Sequence, residues 1–130
     1  MTATWESHEG EEQLHVAADS PEQIVIETVQ AFSRLVERDA GGEPTLREIT
    51  VEATSRGELL VELLGELIYL ADTEGFVADS TVVTLEDLRL HVSLAGRCTT
   101  VAPLVKAATY HDLSFEQRGD TWDARIVLDV

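Results

Sequence analysis

Apolar residues change their period along this chain of 130 residues, and the changes divide it into elements. From Gln13 to Ala18 polar and apolar residues alternate, as in a strand with one buried face. Ile24, Val25, Thr28, Val29, Phe32, Leu35 and Val36 then recur at helical spacing. Ser20 is a suitable cap for that helix, with Pro21 at its first position and Gln23 three residues after the cap, and Asp39 to Pro44 supplies a turn that stops it. Arg47 to Ala53 alternates again and reads as a second strand. Ser55 and Glu58 have the spacing of a capping box ahead of a second helix, where Leu59, Leu60, Leu63, Leu64, Leu67, Ile68 and Leu70 leave few polar sides. That helix is expected to be central and buried, and to end near Asp72 to Gly75, with Gly75 as a left-handed cap.

Beyond Gly75 the period is that of strands: Phe76 to Leu85, Leu88 to Leu94, Val105 to Gln117 and Thr121 to Val130. Turns are expected at Glu86-Asp87, from Gly96 to Pro103, and at Arg118 to Asp120. Two helices among six or seven strands predict an α+β fold, a single domain over 1–130 whose mixed or mostly antiparallel sheet is covered by the helices. The last strand is unusual in its position. Ile126 and Leu128 alternate with Arg125 and Asp129, so the chain stays patterned to its end, placing the Asp129 carboxylate beside the α-carboxylate of Val130 on ordered backbone. Such a pair is suited to holding a cation.

Composition narrows the function. Asp and Glu number 25 against 9 Lys and Arg, for a formal charge of −16, and Lys106 is the only lysine. A field of that sign repels phosphate backbones, so direct nucleic-acid binding is not expected, whereas cations and basic protein partners are favoured. Adaptation to a salty interior or plain solubility would explain the same excess. The single cysteine, Cys98, cannot form an internal disulfide. No apolar run approaches the ~20 residues of a membrane span, and the first residues lack a signal-peptide pattern, so a soluble cytoplasmic protein is expected. Phosphate-binding glycine loops, paired metal-ligating cysteines, HExxH and GxSxG are all absent from the sequence. His8, His15, His91 and His111 show no metal-ligand spacing.

Three segments together resemble the archease family. Lys106 to Leu113, KAATYHDL, is similar to the family's VKAVTYHDL. Trp122 to Val130, WDARIVLDV, is similar to its closing W-x-A-x-V-x-F-D-[VI]. Leu60 to Gly75, LVELLGELIYLADTEG, is similar to LLVEWLNELLYLFDTEG, with Gly65 where asparagine is usual. The family's HTAD is matched by His8 to Glu11, HEGE, so glutamate replaces aspartate. An alternative registration on His15 to Asp19 conflicts with the helix entry at Asp19-Ser20.

The resemblance implies a small acidic accessory protein, not itself an enzyme, that activates the GTP-dependent tRNA-splicing RNA ligase. It also implies a divalent-metal site, of calcium type, at Glu11, Asp129 and Val130, and a functional or partner-contacting role for Lys106. Tyr110, His111 and Asp112 either orient that site through hydrogen bonds, with Tyr110 and Asp112 on one strand face and His111 on the other, or are ordinary core and edge residues. Hard cations take oxygen ligands, so the donor types are coherent. Two other readings stay open: an archease-fold binding module that has lost the ion, and a metal-dependent hydrolase using the same carboxylates.

Overall fold

The computed structural model describes residues 1–37, 39, 41–101 and 105–130. Its elements run β1 (Thr2–His8), β2 (Glu11–Ala18), α1 (Pro21–Val36), β3 (Glu43–Glu52), α2 (Arg56–Glu74), β4 (Phe76–Glu86), β5 (Arg89–Cys98), β6 (Ala107–Arg118) and β7 (Thr121–Asp129). The expected α+β class stands. The strands, however, form two sheets, with orders β1-β2-β7-β6 and β3-β5-β4, and every pairing is antiparallel.

Both helices start where the sequence places them. Ser20 accepts a hydrogen bond from the Gln23 amide (3.1 Å), and Ser55 accepts one from Glu58 (3.2 Å). The second capping box is one-sided, because the Glu58 carboxylate accepts from the Thr54 hydroxyl (2.6 Å) and amide instead of closing on Ser55. Helix α2 is less uniformly buried than its leucines suggest. Leu60, Leu63, Leu64 and Leu67 are buried, while Glu62, Gly65, Glu66 and Tyr69 form an exposed stripe. The helix ends at Gly75, whose φ of +66° is the left-handed conformation. A side chain there would also collide with the Thr99 carbonyl oxygen.

The core forms between the helices and the inward faces of both sheets. Leu14, Val16 and Ala18 of β2 share one face with Ala124, Ile126 and Leu128 of β7, all of them buried. Helix α1 packs on β4 and β2, and α2 on β6 and β3. Helix α1 is also tied to β4 by a buried bond, Ser33 Oγ donating to the Ala78 carbonyl (2.9 Å). No helix among the described residues is long and apolar enough to cross a membrane.

Some boundaries differ from expectation. Strand β1 was not anticipated; its Trp5 anchors it to α1 by donating Nε1–H to the Ala31 carbonyl (3.1 Å). Strand β3 begins at Glu43, inside the expected turn, because edge strands tolerate Pro44. Strand β5 extends to Cys98, so the turn expected from Gly96 starts later; Pro103 lies outside the described residues. The hairpin turns at Asp87 and Gly119 fall where expected, both at positive φ.

Candidate functional site

The HEGE segment is a β-hairpin. Glu9 and Gly10 make the two-residue turn between β1 and β2, with Gly10 at φ +76°, and His8 pairs directly with Glu11. A turn residue with positive φ favours glycine, so this local requirement explains the third letter of the motif. Glu11 opens β2, and the residue opposite it on β7 is Asp129.

Directly opposed residues in an antiparallel pair project on the same face, so the Glu11 and Asp129 side chains share the sheet face away from the helices. Their spacing follows from the next rung. The Val130 amide donates to the Gly10 carbonyl (3.0 Å), which makes that rung hydrogen-bonded and the Glu11/Asp129 rung the closer, non-hydrogen-bonded kind, with Cα atoms about 4.5 Å apart. On the far side of Asp129 stands Ala107, and the Asp129 carbonyl accepts from the Lys106 amide (2.8 Å). Asp129 is therefore held by backbone on the β6 side, and its neighbour Val130 on the β1–β2 hairpin side. One rung across the sheet reads His8, Glu11, Asp129, Ala107.

Two ionised carboxylates opposed in this way repel, by about 1 kcal/mol at 4 Å in water and more at lower dielectric. A hard cation between them reverses the sign of that interaction. Among the described residues no group of three or more His, Cys, Asp and Glu side chains is arranged to hold a metal ion, so the site as drawn offers two carboxylates and backbone oxygens. His8, which sequence reasoning left unassigned, is the nearest further donor along the rung. Its Nε2 lies 3.3 Å from Glu6 Oε1. The signal that could have found it was the Glu-Gly turn between two short alternating runs.

The remaining candidates are placed differently. Lys106 is exposed, and it lines a groove of about 310 Å³ with Glu62, Gly65 and Glu66 of α2. It is joined to the Asp129 position by backbone, while its surroundings are those of the helix-covered side. Tyr110, His111 and Asp112 do not alternate across the strand as expected. The β6/β7 register jumps between Thr109/Val127 and Ser114/Arg125, so the segment between is a bulge, and Asp112 takes φ +52°. All three residues are exposed, and His111 Nε2 pairs with Asp112 Oδ2 at 3.2 Å. Farther along the Glu11 face, His15 Nε2 meets Asp123 Oδ2 at 2.7 Å.

The hairpin, the opposed carboxylates and the bulged β6 lie within a stretch that matches a known family. The model of the Archease protein family matches residues 6–130. The chain belongs to the archease family. A curated relative, protein archease of Pyrococcus furiosus, is 33% identical over 93 residues, covering 64% of this chain and 66% of its own length, just under two thirds. Two solved structures share the archease fold. The solution structure of protein 1598 of Methanobacterium thermoautotrophicum superimposes with a TM-score of 0.76 at 19% identity, covering 98% of each chain. The crystal structure of an archease from Thermotoga maritima, titled a possible chaperone, gives 0.68 at 20% identity over 95% of this chain and 93% of the other.

Proposed function

We propose that this archease-family chain is a metal-binding accessory protein that activates a GTP-dependent tRNA-splicing ligase and performs no chemistry of its own. The observation that supports it best is the opposition of Glu11 and Asp129 on one rung, with Val130 fixed to Gly10 on the next. The donor set suits a hard divalent cation such as Ca²⁺: carboxylates from Glu11 and Asp129 and backbone oxygen at Val130, with water completing the shell. Such an ion would supply a fixed positive charge at the sheet end and no redox or nucleophilic function. Glu11 in place of aspartate keeps the carboxylate with one more methylene, a length the flexible glutamate side chain can absorb.

The protein's own residues do the remaining work in this reading. The Gly10 turn sets the height of Glu11. The backbone bonds at Asp129 and Val130 keep the end of β7 from fraying, and Lys106 presents the single ammonium for contact with the ligase or a phosphate. An acidic activator is suited to a basic RNA-handling partner, since complementary fields speed encounter.

Ligation assays with the cognate ligase test the proposal. Wild-type protein should raise turnover, and Asp129→Ala combined with Lys106→Ala should abolish the increase. Full stimulation by that variant, or none by wild type, would sink the idea. Glu11, standing where the resemblance has aspartate, favours one alternative, a binding module without an ion. Calorimetric titration of Ca²⁺, Mn²⁺ and Mg²⁺ into chelator-treated protein separates the two, because the module would show no heat with any of them.

A further inference from the structure

The outer face of the β3-β5-β4 sheet, remote in the sequence from Glu11 and Asp129, has the shape of a docking surface. Its middle strand carries small side chains, Ser93 and Ala95, and its flanking strands carry larger ones. The rungs across the sheet read Leu46-Ala95-Ser80 and Glu48-Ser93-Val82. Leu46 and Val82 are 77% and 68% exposed, among the most exposed large apolar residues of the chain. They stand on opposite sides of a trough of about 660 Å³ whose floor is Ser93 and Ala95. With strands ~4.8 Å apart, its two walls are separated by about 10 Å, enough for one row of side chains from an incoming segment. Aliphatic side chains exposed on either side of a concave floor leave apolar surface that an incoming apolar side chain can bury.

Charge selects the occupant. The cations of this sheet are already paired: Arg47 with Glu74, Arg89 with Glu52, and Arg97 with Glu37 and Asp79. On this face Glu86 has no cation at ion-pair distance among the described residues, and Glu48 beside the trough has only His91 at that distance and accepts from Ser93 Oγ (3.2 Å). The uncompensated charge around the trough is therefore negative, on a chain of −16. A second copy, an anionic lipid surface or a nucleic acid would each bring like charge to it.

We propose that this face docks a basic protein segment, one apolar side chain of which seats between Leu46 and Val82. Apolar burial between those two residues supplies affinity, and Glu48 and Glu86 on the same face select a cationic flank. The inference stands apart from the metal reading, since none of its residues belongs to the Glu11/Asp129 rung.

The test titrates isotope-labelled full-length protein with a short peptide in which arginine alternates with leucine. Controls are a glutamate-leucine and an arginine-serine peptide of equal length. Amide shifts should concentrate at Leu46, Val82, Ser93 and Ala95. Affinity for the arginine-leucine peptide should drop at least tenfold in a Leu46→Ser/Val82→Ser variant whose unfolding midpoint matches wild type. Equal affinity of that variant, equal binding of the glutamate peptide, or shifts spread over other acidic surfaces would overturn the proposal. So would a concentration-dependent dimer in sedimentation that the same variant dissociates, because the face would then serve a second copy.

Discussion

Glu11 and Asp129 face each other across a single rung of antiparallel sheet, although 117 positions separate them in the chain. Without an ion their charges oppose folding, and with one they favour it. Glu11→Gln should therefore stabilise chelator-treated protein by roughly 0.5 kcal/mol, the size of a relieved cross-strand repulsion. If the proposed site takes Ca²⁺, wild type should gain about 2.7 kcal/mol at a hundredfold excess over Kd, and the same change should remove that gain. Thermal unfolding with and without Ca²⁺ measures both. An identical Ca²⁺ response in wild type and Glu11→Gln would place the ion elsewhere.

Gly75 combines two constraints, a φ of +66° and close approach to Thr99. The Thr99 amide also donates to the Gly75 carbonyl (2.8 Å), so the two backbones cannot easily separate. Gly75→Ala is expected to cost about 2–4 kcal/mol, from the left-handed penalty plus displacement of the strand end. A lowered urea midpoint with unchanged slope would verify it; a cost below about 0.5 kcal/mol would show that the cap relaxes freely.

Arg97 gathers the region after α1. Its side chain, 16% exposed, donates to Asp79 (2.9 Å from Nε to Oδ2), to Glu37 and to the carbonyls of Asp39 (3.2 Å) and Gly41 (3.1 Å). The hydrogen bonds it donates to Asp79 and then to Glu37 push its pKa above the ordinary arginine range. A base whose folded pKa is raised contributes stability that persists below its unfolded pKa and fades only as pH rises through the folded value. Both lie beyond the range in which the protein is handled. The unfolding midpoint of Arg97→Gln should thus fall below wild type by an amount that is constant from about pH 6 to about pH 9. Arg97→Lys should recover little of it, because one ammonium cannot reach all four partners. Full recovery by lysine would reduce the role to charge alone.

What the sequence disclosed follows the range of the interactions involved. Ser20, Ser55 and Gly75 act on neighbours a few residues away, so both helices could be placed from local pattern. The alternation of Ile126 and Leu128 likewise fixed which face of β7 is buried. Strand β1 has only Ala3 and Trp5 facing inward, and its identity depends on pairing through the Glu9-Gly10 turn. The division into two sheets depends on which strands meet after folding, and strand period does not encode that. Alternation failed at Tyr110 to Asp112 because a bulge is a mismatch with the partner strand and leaves no periodic trace. In the candidate site, Asp129 followed from the patterned last strand and Glu11 from the resemblance, and their opposition from neither composition nor spacing. Arg97 was hidden in an expected turn, since its partners come from two distant segments, the stretch after α1 and β4.

Thr81 presents the remaining test of packing. It lies on β4 opposite Leu94, on the face toward the helices, and its Oγ1 is buried with no hydrogen-bond partner among the described residues. A buried hydroxyl left unpaired costs about 1–3 kcal/mol relative to water, whereas a methyl of the same shape carries no such penalty. Thr81→Val keeps the β-branched shape preferred in strands and removes the orphan group. It should raise stability by about 1 kcal/mol and move the thermal midpoint up by a few degrees for a domain of this size. A destabilisation instead would mean that the hydroxyl is paired in solution by an ordered water, which a water-to-amide exchange measurement at Thr81 and Leu94 would detect directly.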